Sequence, residues 1–330
     1  MLTVPLVGIG MPAYNGAQFI EAAIQSLLRQ TEHRFELLVS DDCSTDETPA
    51  ICARLARTDS RIKLIRQKVR LGLTENFRYV LRESRSRFFM WAAQDDAWAP
   101  DFLSETLALL MRQPDALGSM SAIKFVNELG DEVTIHRLSS RLGDRNPVTR
   151  AVSVAREGGY HAMYSLFRRD SLPAGVELED VFGQDLALVF GLSLHGRFVV
   201  SERVLSTRRR IGYDTVKDSR GRLVWSKALG PSGHLYSRDP YPMCRHMLRY
   251  TFGAPISRLQ KARLCGHIVG EWSRRAREGT VLSATTRAKI ALHERAYAKA
   301  IALMLPAALL GPRRSYREAK HGLLKVMGKS

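Results

Sequence analysis

Short, nearly unbroken apolar runs alternate with stretches of helical spacing along the first two hundred residues. Val4 to Met11, Glu36 to Ser40, Arg61 to Arg66 and the aromatic run Phe88-Phe89-Met90-Trp91 predict four strands. The aromatic run has no polar interruption, as a strand buried on both faces would have none. Between the strands, Ala17 to Gln30 carries Phe19, Ile20, Ala23, Ile24, Leu27 and Leu28 at helical spacing. Asp46 to Arg57 carries Ile51, Leu55 and Ala56, with Thr45 or Asp46 near its cap, and Glu75 to Ser84 predicts a third helix. This alternation predicts an α/β fold, a doubly wound and mostly parallel sheet flanked by helices, with right-handed crossovers.

Beyond Pro100 the pattern predicts a helix with Phe102, Leu103, Leu107, Leu110 and Met111 inward, then strands over Gly118 to Phe125 and Glu132 to Ile135. Leu138 to Asn146 is polar and basic, and reads either as a mobile loop near a substrate or as an ordinary surface loop. Tyr160 to Arg168 predicts a strand, Leu186 to Leu194 an apolar helix, and Phe198 to Val200 and Val204 to Arg210 two further strands. Residues 213 to 240 are rich in Gly, Ser, Pro and charge and read as an irregular connection. From Tyr241 the spacing is helical, with one apolar stripe of Ile256, Leu259, Leu264, Ile268 and Trp272 and another of Ile290, Ala291, Tyr297, Ile301 and Met304. The expected division is therefore a domain over 1–212 and a basic, mainly helical region over 213–330.

Charge sharpens that division. Residues 1–200 hold 23 Lys and Arg against 25 Asp and Glu, whereas residues 201–330 hold 27 against 8, so the net +17 lies entirely in the C-terminal part. Basic amphipathic helices suit an anionic membrane surface, which makes such a surface one candidate partner. A solvated basic face, or a basic wall against the acidic part of the chain, is the plain alternative. No nucleic-acid partner is expected, because no recognised motif accompanies the charge. The four cysteines form no C-x-x-C pair, and no Lys or Arg precedes Arg29. The apolar run from Ala300 to Gly311 is far shorter than the roughly 20 residues a membrane span needs. These features predict a cytoplasmic protein, peripheral at most at the inner face of the membrane.

Candidate chemistry gathers where strands stop on paired acids. The Phe88 strand runs into Asp95-Asp96 and the Glu36 strand into Asp41-Asp42, so two strands deliver carboxylates to the rim at which such sheets bind ligands. Adjacent acids repel, and a divalent cation held against phosphates would relieve them. Capping and turn formation are the structural alternative. Gly8-Ile9-Gly10-Met11-Pro12-Ala13 mimics a dinucleotide fingerprint, with Asp41 as its ribose acid, but the glycines fall inside the strand and Pro12 removes a donor.

The pieces VGIGMPAYNGAQFIEAAIQSLLRQT, FELLVSDDCSTDET, RLGLTENFRYVL, FMWAAQDDAWAPDFL and FGQDLALVF, spread over residues 4–210, resemble the family 2 inverting glycosyltransferases of the GT-A fold. The resemblance implies a nucleotide-diphospho-sugar donor linked to UDP, GDP or dTDP, and a saccharide, lipid-linked or protein acceptor related to the cell envelope or its polysaccharides. By the same resemblance Pro12, Ala13, Tyr14, Asn15, Asp41, Asp42 and Asn76 bind the nucleotide sugar, with Asp42 toward base or ribose. Asp95 and Asp96 carry Mg²⁺ or Mn²⁺ on the diphosphate, Asp95 also touching the donor, and Asp185 is the acceptor-activating base. Ala93 stands where many relatives have a further Asp, and the Q-x-x-R-W signature of processive synthases is missing, which implies single addition. An inverting transfer needs a carboxylate to take the acceptor's proton. Glu179 and Asp180 are the other acids close by in sequence. A nucleotidyltransferase or a non-catalytic saccharide-binding relative would share the acids, but no Gly-rich triphosphate loop is apparent.

Overall fold

The computed structural model describes residues 5–180, 183–210, 213–217, 223–227 and 241–278. Contacts divide the chain into two compact units, one comprising Met1–Leu138, Tyr164–Leu172 and Phe198–Tyr236, the other Ser139–Met163, Pro173–Arg197 and Ser237–Ser330.

The first unit is built on a nine-stranded sheet. Its strands are β1 (Val7–Ala13), β2 (Phe35–Asp41), β3 (Ile62–Arg66), β4 (Phe88–Trp91), β5 (Ala97–Trp98), β6 (Ala116–Val126), β7 (Glu132–His136), β8 (Leu166–Arg168) and β9 (Arg197–Arg209). The helices α1 (Ile20–Leu28), α2 (Thr48–Thr58), α3 (Leu73–Glu83) and α4 (Phe102–Arg112) connect or follow the first strands. The order is β3-β2-β1-β4-β8-β6-β9-β5, with β7 paired to β6. Pairing is parallel from β3 through β4 and antiparallel at β4–β8, β6–β8, β6–β7 and β5–β9. The chain winds outward from β1 through β2 to β3, then returns to place β4 on the other side of β1. In such sheets ligands usually bind beyond the carboxyl ends of the strands flanking a reversal of this kind, here β1 and β4.

Both β1 and β4 are buried throughout, as their unbroken apolar runs require. Ile9, Met11, Leu37, Val39, Phe88 and Met90 join Ile20, Ile24 and Leu27 of α1 in one core. Gly10 lies in β1 because α3 packs against it: a Cβ there would come within 2.6 Å of a Val80 methyl. Close helix packing thus accounts for the glycine that mimicked a dinucleotide motif.

Several expectations need correction. Leu138 to Asn146, read as a loop, includes a 3₁₀ turn over Ser140–Gly143 whose start is capped by the Ser139 hydroxyl, with Leu142 buried. A helix, α5 (Pro147–Glu157), follows it, with the Asn146 side chain accepting from the Val148 N–H. Of Tyr160 to Arg168 only Leu166–Arg168 is a strand; the first part is a 3₁₀ turn. The two strands expected after residue 197 are one continuous strand, β9. Part of the expected irregular connection is a hairpin of β10 (Tyr213–Lys217) and β11 (Leu223–Lys227).

In the second unit, α5 packs on α6 (Gln184–His195) and α8 (Arg258–Glu278), and α7 (Tyr241–Gly253) packs on α6 and α8. No helix among the described residues is long and apolar enough to cross a membrane. The stripe from Ile290 to Met304 and most of the basic region lie outside the described residues.

Thiol chemistry follows from burial. Cys52 and Cys265 are buried, which pushes both thiols up to about 12, whereas Cys43 is half-buried on the loop after β2. Among these three, Cys43 alone is expected to react with iodoacetamide in the folded protein at pH 8, because the thiolate is the nucleophile. Peptide mass mapping after a native pulse checks this; labelling of Cys52 or Cys265 at the same rate would contradict it.

Candidate active site

Three loops converge at the carboxyl ends of β1, β2 and β4. The amide of Gln94 grips the backbone of Tyr14 on both sides: Oε1 accepts from the Tyr14 N–H and Nε2 donates to the Tyr14 carbonyl, each at 3.0 Å. The N–H groups of Asn15, Gly16 and Ala17 donate to Ser44 Oγ, Thr48 Oγ1 and Asp46 Oδ2 at 2.9, 2.8 and 3.1 Å. Asn15 Oδ1 accepts from the Thr45 N–H at 2.9 Å. The loop after β1 is thereby fixed by side chains from the other two, although Asn15 itself sits at a φ of 44°, which Asn tolerates better than most residues. Gln94, Ser44 and Thr48 were not among the expected site residues. Hydroxyl and amide side chains flanking the paired acids were the available signal.

The expected nucleotide-binding residues divide into framework and open groups. Pro12 and Ala13 are buried in β1, and the Ala13 carbonyl accepts from the Asp42 N–H at 2.8 Å. Asp42 is buried and accepts from the Leu71 and Gly72 N–H groups, so its carboxylate anchors the loop before α3. Asn76 is buried with both ends of its amide on Ser40: Nδ2 donates to the carbonyl at 2.9 Å and Oδ1 accepts from the hydroxyl at 2.6 Å. The Tyr14 ring carries the Arg70 guanidinium at 4.0 Å from its centroid. Asp41 differs. It is fully buried, its Oδ2 lies 3.4 Å from the Ser44 nitrogen and 3.6 Å from Arg66 Nε, and its Oδ1 has no hydrogen-bond partner among the described residues. A buried acceptor left unpaired is costly enough to suggest a group that arrives with the ligand.

Asp95 and Asp96 are adjacent but not equivalent. The register of β5 on β9, with Ala97 opposite Thr207, brings Arg208 and Arg209 to Asp96. Arg208 donates from its guanidinium to Asp96 Oδ2, and the Arg209 N–H donates to Oδ1 at 3.0 Å. Both partners of the ion pair are almost wholly buried, and Arg208 also lies over the Tyr164 ring at 4.2 Å. Burial raises the Asp96 carboxyl while Arg208 opposes that rise. Asp95 remains partly exposed, makes no side-chain hydrogen bond among the described residues, and is pushed up to about 7 by burial and by the neighbouring Asp96 charge. Its carboxylate therefore fits a cation. In the observed pairing Asp96 does not, because both of its oxygens are engaged and a guanidinium occupies one of them. No group of three or more His, Cys, Asp or Glu side chains suited to a metal occurs among the described residues.

Asp185 lies in the second unit, in the first turn of α6. One of its oxygens accepts from the Leu186 N–H at 2.8 Å, and burial raises its carboxyl above the ordinary range. Glu179, an alternative acid by sequence, forms an ion pair with Arg249 and lies 3.8 Å from His246 Nδ1.

Comparison with solved structures shows that the architecture is a GT-A fold. Staphylococcus aureus TarS residues 1–349 superpose with a TM-score of 0.61 in the complex with UDP-GlcNAc and 0.58 in the complex with UDP. In both cases 97% of this chain and 88% of that chain are covered at 16% identity, so the likeness is one of fold. Residues 9–174, half of the sequence, match the family described as Glycosyl transferase family 2, and the chain belongs to that family. The Escherichia coli UDP-Glc:alpha-D-GlcNAc-diphosphoundecaprenol beta-1,3-glucosyltransferase WfgD is 36% identical over 107 residues, 32% of this chain and 42% of WfgD. An uncharacterized glycosyltransferase of Haemophilus influenzae is 30% identical over 128 residues, 38% of this chain and 40% of that protein. The chain spans less than half the length of the curated relatives it matches.

Proposed function

We propose that this protein moves a single sugar from a nucleotide-diphospho-sugar to a hydroxyl acceptor with inversion at the anomeric carbon. The observation that carries this reading is the rim at the β1–β4 reversal. Its loops are cross-tied by side chains, yet one oxygen of Asp41 and the carboxylate of Asp95 have no hydrogen-bond partner among the described residues. Asp41 suits an N–H or hydroxyl of the nucleoside. Asp95 would hold Mg²⁺ or Mn²⁺ against the diphosphate, where a bound cation offsets charge on the departing group. Asp42 and Asn76 serve by holding the loops and strands that shape the pocket, and Asp96 by fixing Arg208. Asp185 takes the acceptor proton as the hydroxyl attacks. Its raised carboxyl suits that role, because a base whose conjugate acid titrates nearer neutrality transfers protons more effectively.

The family membership and the likeness to WfgD, whose name specifies a diphosphoundecaprenol-linked acceptor, support a lipid-linked or other envelope saccharide as acceptor. A cytoplasmic enzyme acting at the inner face of the membrane fits that substrate, and the basic C-terminal sequence fits an anionic surface. Incubation with UDP-, GDP- and dTDP-sugars and a lipid-diphosphate saccharide tests the reading. Nucleoside diphosphate release from one donor class, with an anomeric configuration opposite to the donor's by NMR, is expected. Donors left intact in every combination would contradict catalysis, and retained configuration would contradict the mechanism.

A further inference from the structure

The segment leading into α6 is gripped from one side by a single helix, α7, which lies beyond the family-matched residues. Among the described residues, Met243, Arg249 and Tyr250 of α7 make close contacts with it, and His246 Nδ1 lies 3.8 Å from Glu179. Met243 fills the space above Gly183: a Cβ at that position would lie 2.5 Å from the Met243 sulfur, and Gly183 has a φ of 74°, which disfavours any side chain there. Arg249 forms an ion pair with Glu179. Tyr250 donates its hydroxyl to the Glu177 carbonyl at 2.7 Å, and its ring covers Gly191, where a Cβ would come within 2.9 Å of a ring carbon. The gripped positions 177, 179 and 183 precede Asp185 and position 191 follows it, so both sides of the proposed base are tied to one neighbouring helix.

We propose that α7 positions Asp185, with Arg249 and Tyr250 as positioning residues for proton transfer. The inference rests on the reading of Asp185 as the base. Asp185 projects from the first turn of α6, where the orientation of its carboxylate follows the entry of the chain into the helix. That entry is set by the αL conformation at Gly183 and by the contacts of α7 with Glu177, Glu179 and Gly183. Glu179 is also accounted for, since its charge holds Arg249. At Asp185, Oδ1 accepts from the Leu186 N–H at 2.8 Å. Small displacements of a reacting group cost rate steeply, about a hundredfold for roughly 1 Å.

Steady-state kinetics on Arg249→Met, Arg249→Lys, Tyr250→Phe and Asp185→Asn test the proposal, with donor affinity measured separately by calorimetry. Arg249→Met is expected to lower kcat by about ten- to a hundredfold with the donor dissociation constant unchanged, and Arg249→Lys to recover most of the loss. Unaltered donor affinity shows that the variant is folded. Should Arg249→Met fail to fold, Tyr250→Phe removes a single oxygen and is expected to lower kcat several-fold by the same route. Wild-type kcat in the folded variants, or a loss confined to donor affinity, overturns the positioning role while Asp185→Asn remains inactive. Full turnover by Asp185→Asn instead overturns the assignment of the base itself.

Discussion

Replacing Asp185 by Asn is expected to lower kcat by about two to four powers of ten, because it removes the proton acceptor and leaves the shape of the side chain intact. The same change is expected to leave the unfolding midpoint at neutral pH unchanged or raised. Burial lifts the Asp185 carboxyl in the folded chain above its ordinary value, so the ionised form opposes folding. The stability this group contributes is fully present below the unfolded-state value and is lost as pH rises through the folded-state value. An amide carries no such cost. In the wild-type enzyme the acidic limb of the kcat profile is expected above the ordinary carboxylate range. Stopped assays of nucleoside diphosphate release across pH 4–9, paired with thermal unfolding, check both effects. A folded Asn variant with undiminished kcat would remove Asp185 from the reaction.

Asp96→Ala is expected to destabilise the fold by about 3–5 kcal/mol, since it removes the carboxylate hydrogen-bonded to the buried Arg208 guanidinium. Both members of this pair are about 5% exposed, so water cannot replace the lost partner. The double variant Asp96→Asn, Arg208→Met is expected to regain most of the loss, because well-packed neutral replacements of a buried ion pair are often nearly neutral. Chemical denaturation of the singles and the double, combined as a mutant cycle, measures the coupling. An Asp96→Ala variant as stable as the parent would show that Arg208 has another partner. A loss of donor binding in the same variant would follow from displacement of β9 as readily as from loss of a ligand, which is why stability is the informative readout.

The contrast between these acids shows what spacing reveals and what it hides. Runs such as Phe88 to Trp91 declare buried strands because no polar residue interrupts them, and the acids after them declare a rim. The alternation of strand and helix up to β4 made the parallel half of the sheet legible. The antiparallel half was harder. Strand β9 passes through the polar positions Ser201, Glu202 and Arg203, which broke its pattern into two apparent pieces. Helix α5 begins at Asn146-Pro147, a cap followed by a proline in the first turn, directly after a polar and basic stretch whose composition is that of a loop. Local sequence carries no sign that Asp96 meets Arg208 across 112 positions, or that Gln94 clamps Tyr14 across 80. Such partners are set by strand register and by the meeting of loops, so residue type identified the candidate acids and tertiary pairing separated anchors from open groups. Asp42, Asn76 and Asp96 are the anchors in this sense; Asp41 and Asp95 retain oxygens without a hydrogen-bond partner among the described residues.

A donor nucleotide is expected to seat on the rim beyond β1, β2 and β4 through those two acids. Calorimetric titration of UDP, GDP and dTDP with Mn²⁺ into the wild-type protein, Asp41→Asn and Asp95→Asn tests it directly. One nucleotide is expected to bind the wild type and to lose at least about tenfold in affinity in each folded variant, the effect of about 1.4 kcal/mol or more. Binding of none of the three, or equal affinity in all three proteins, would contradict the account.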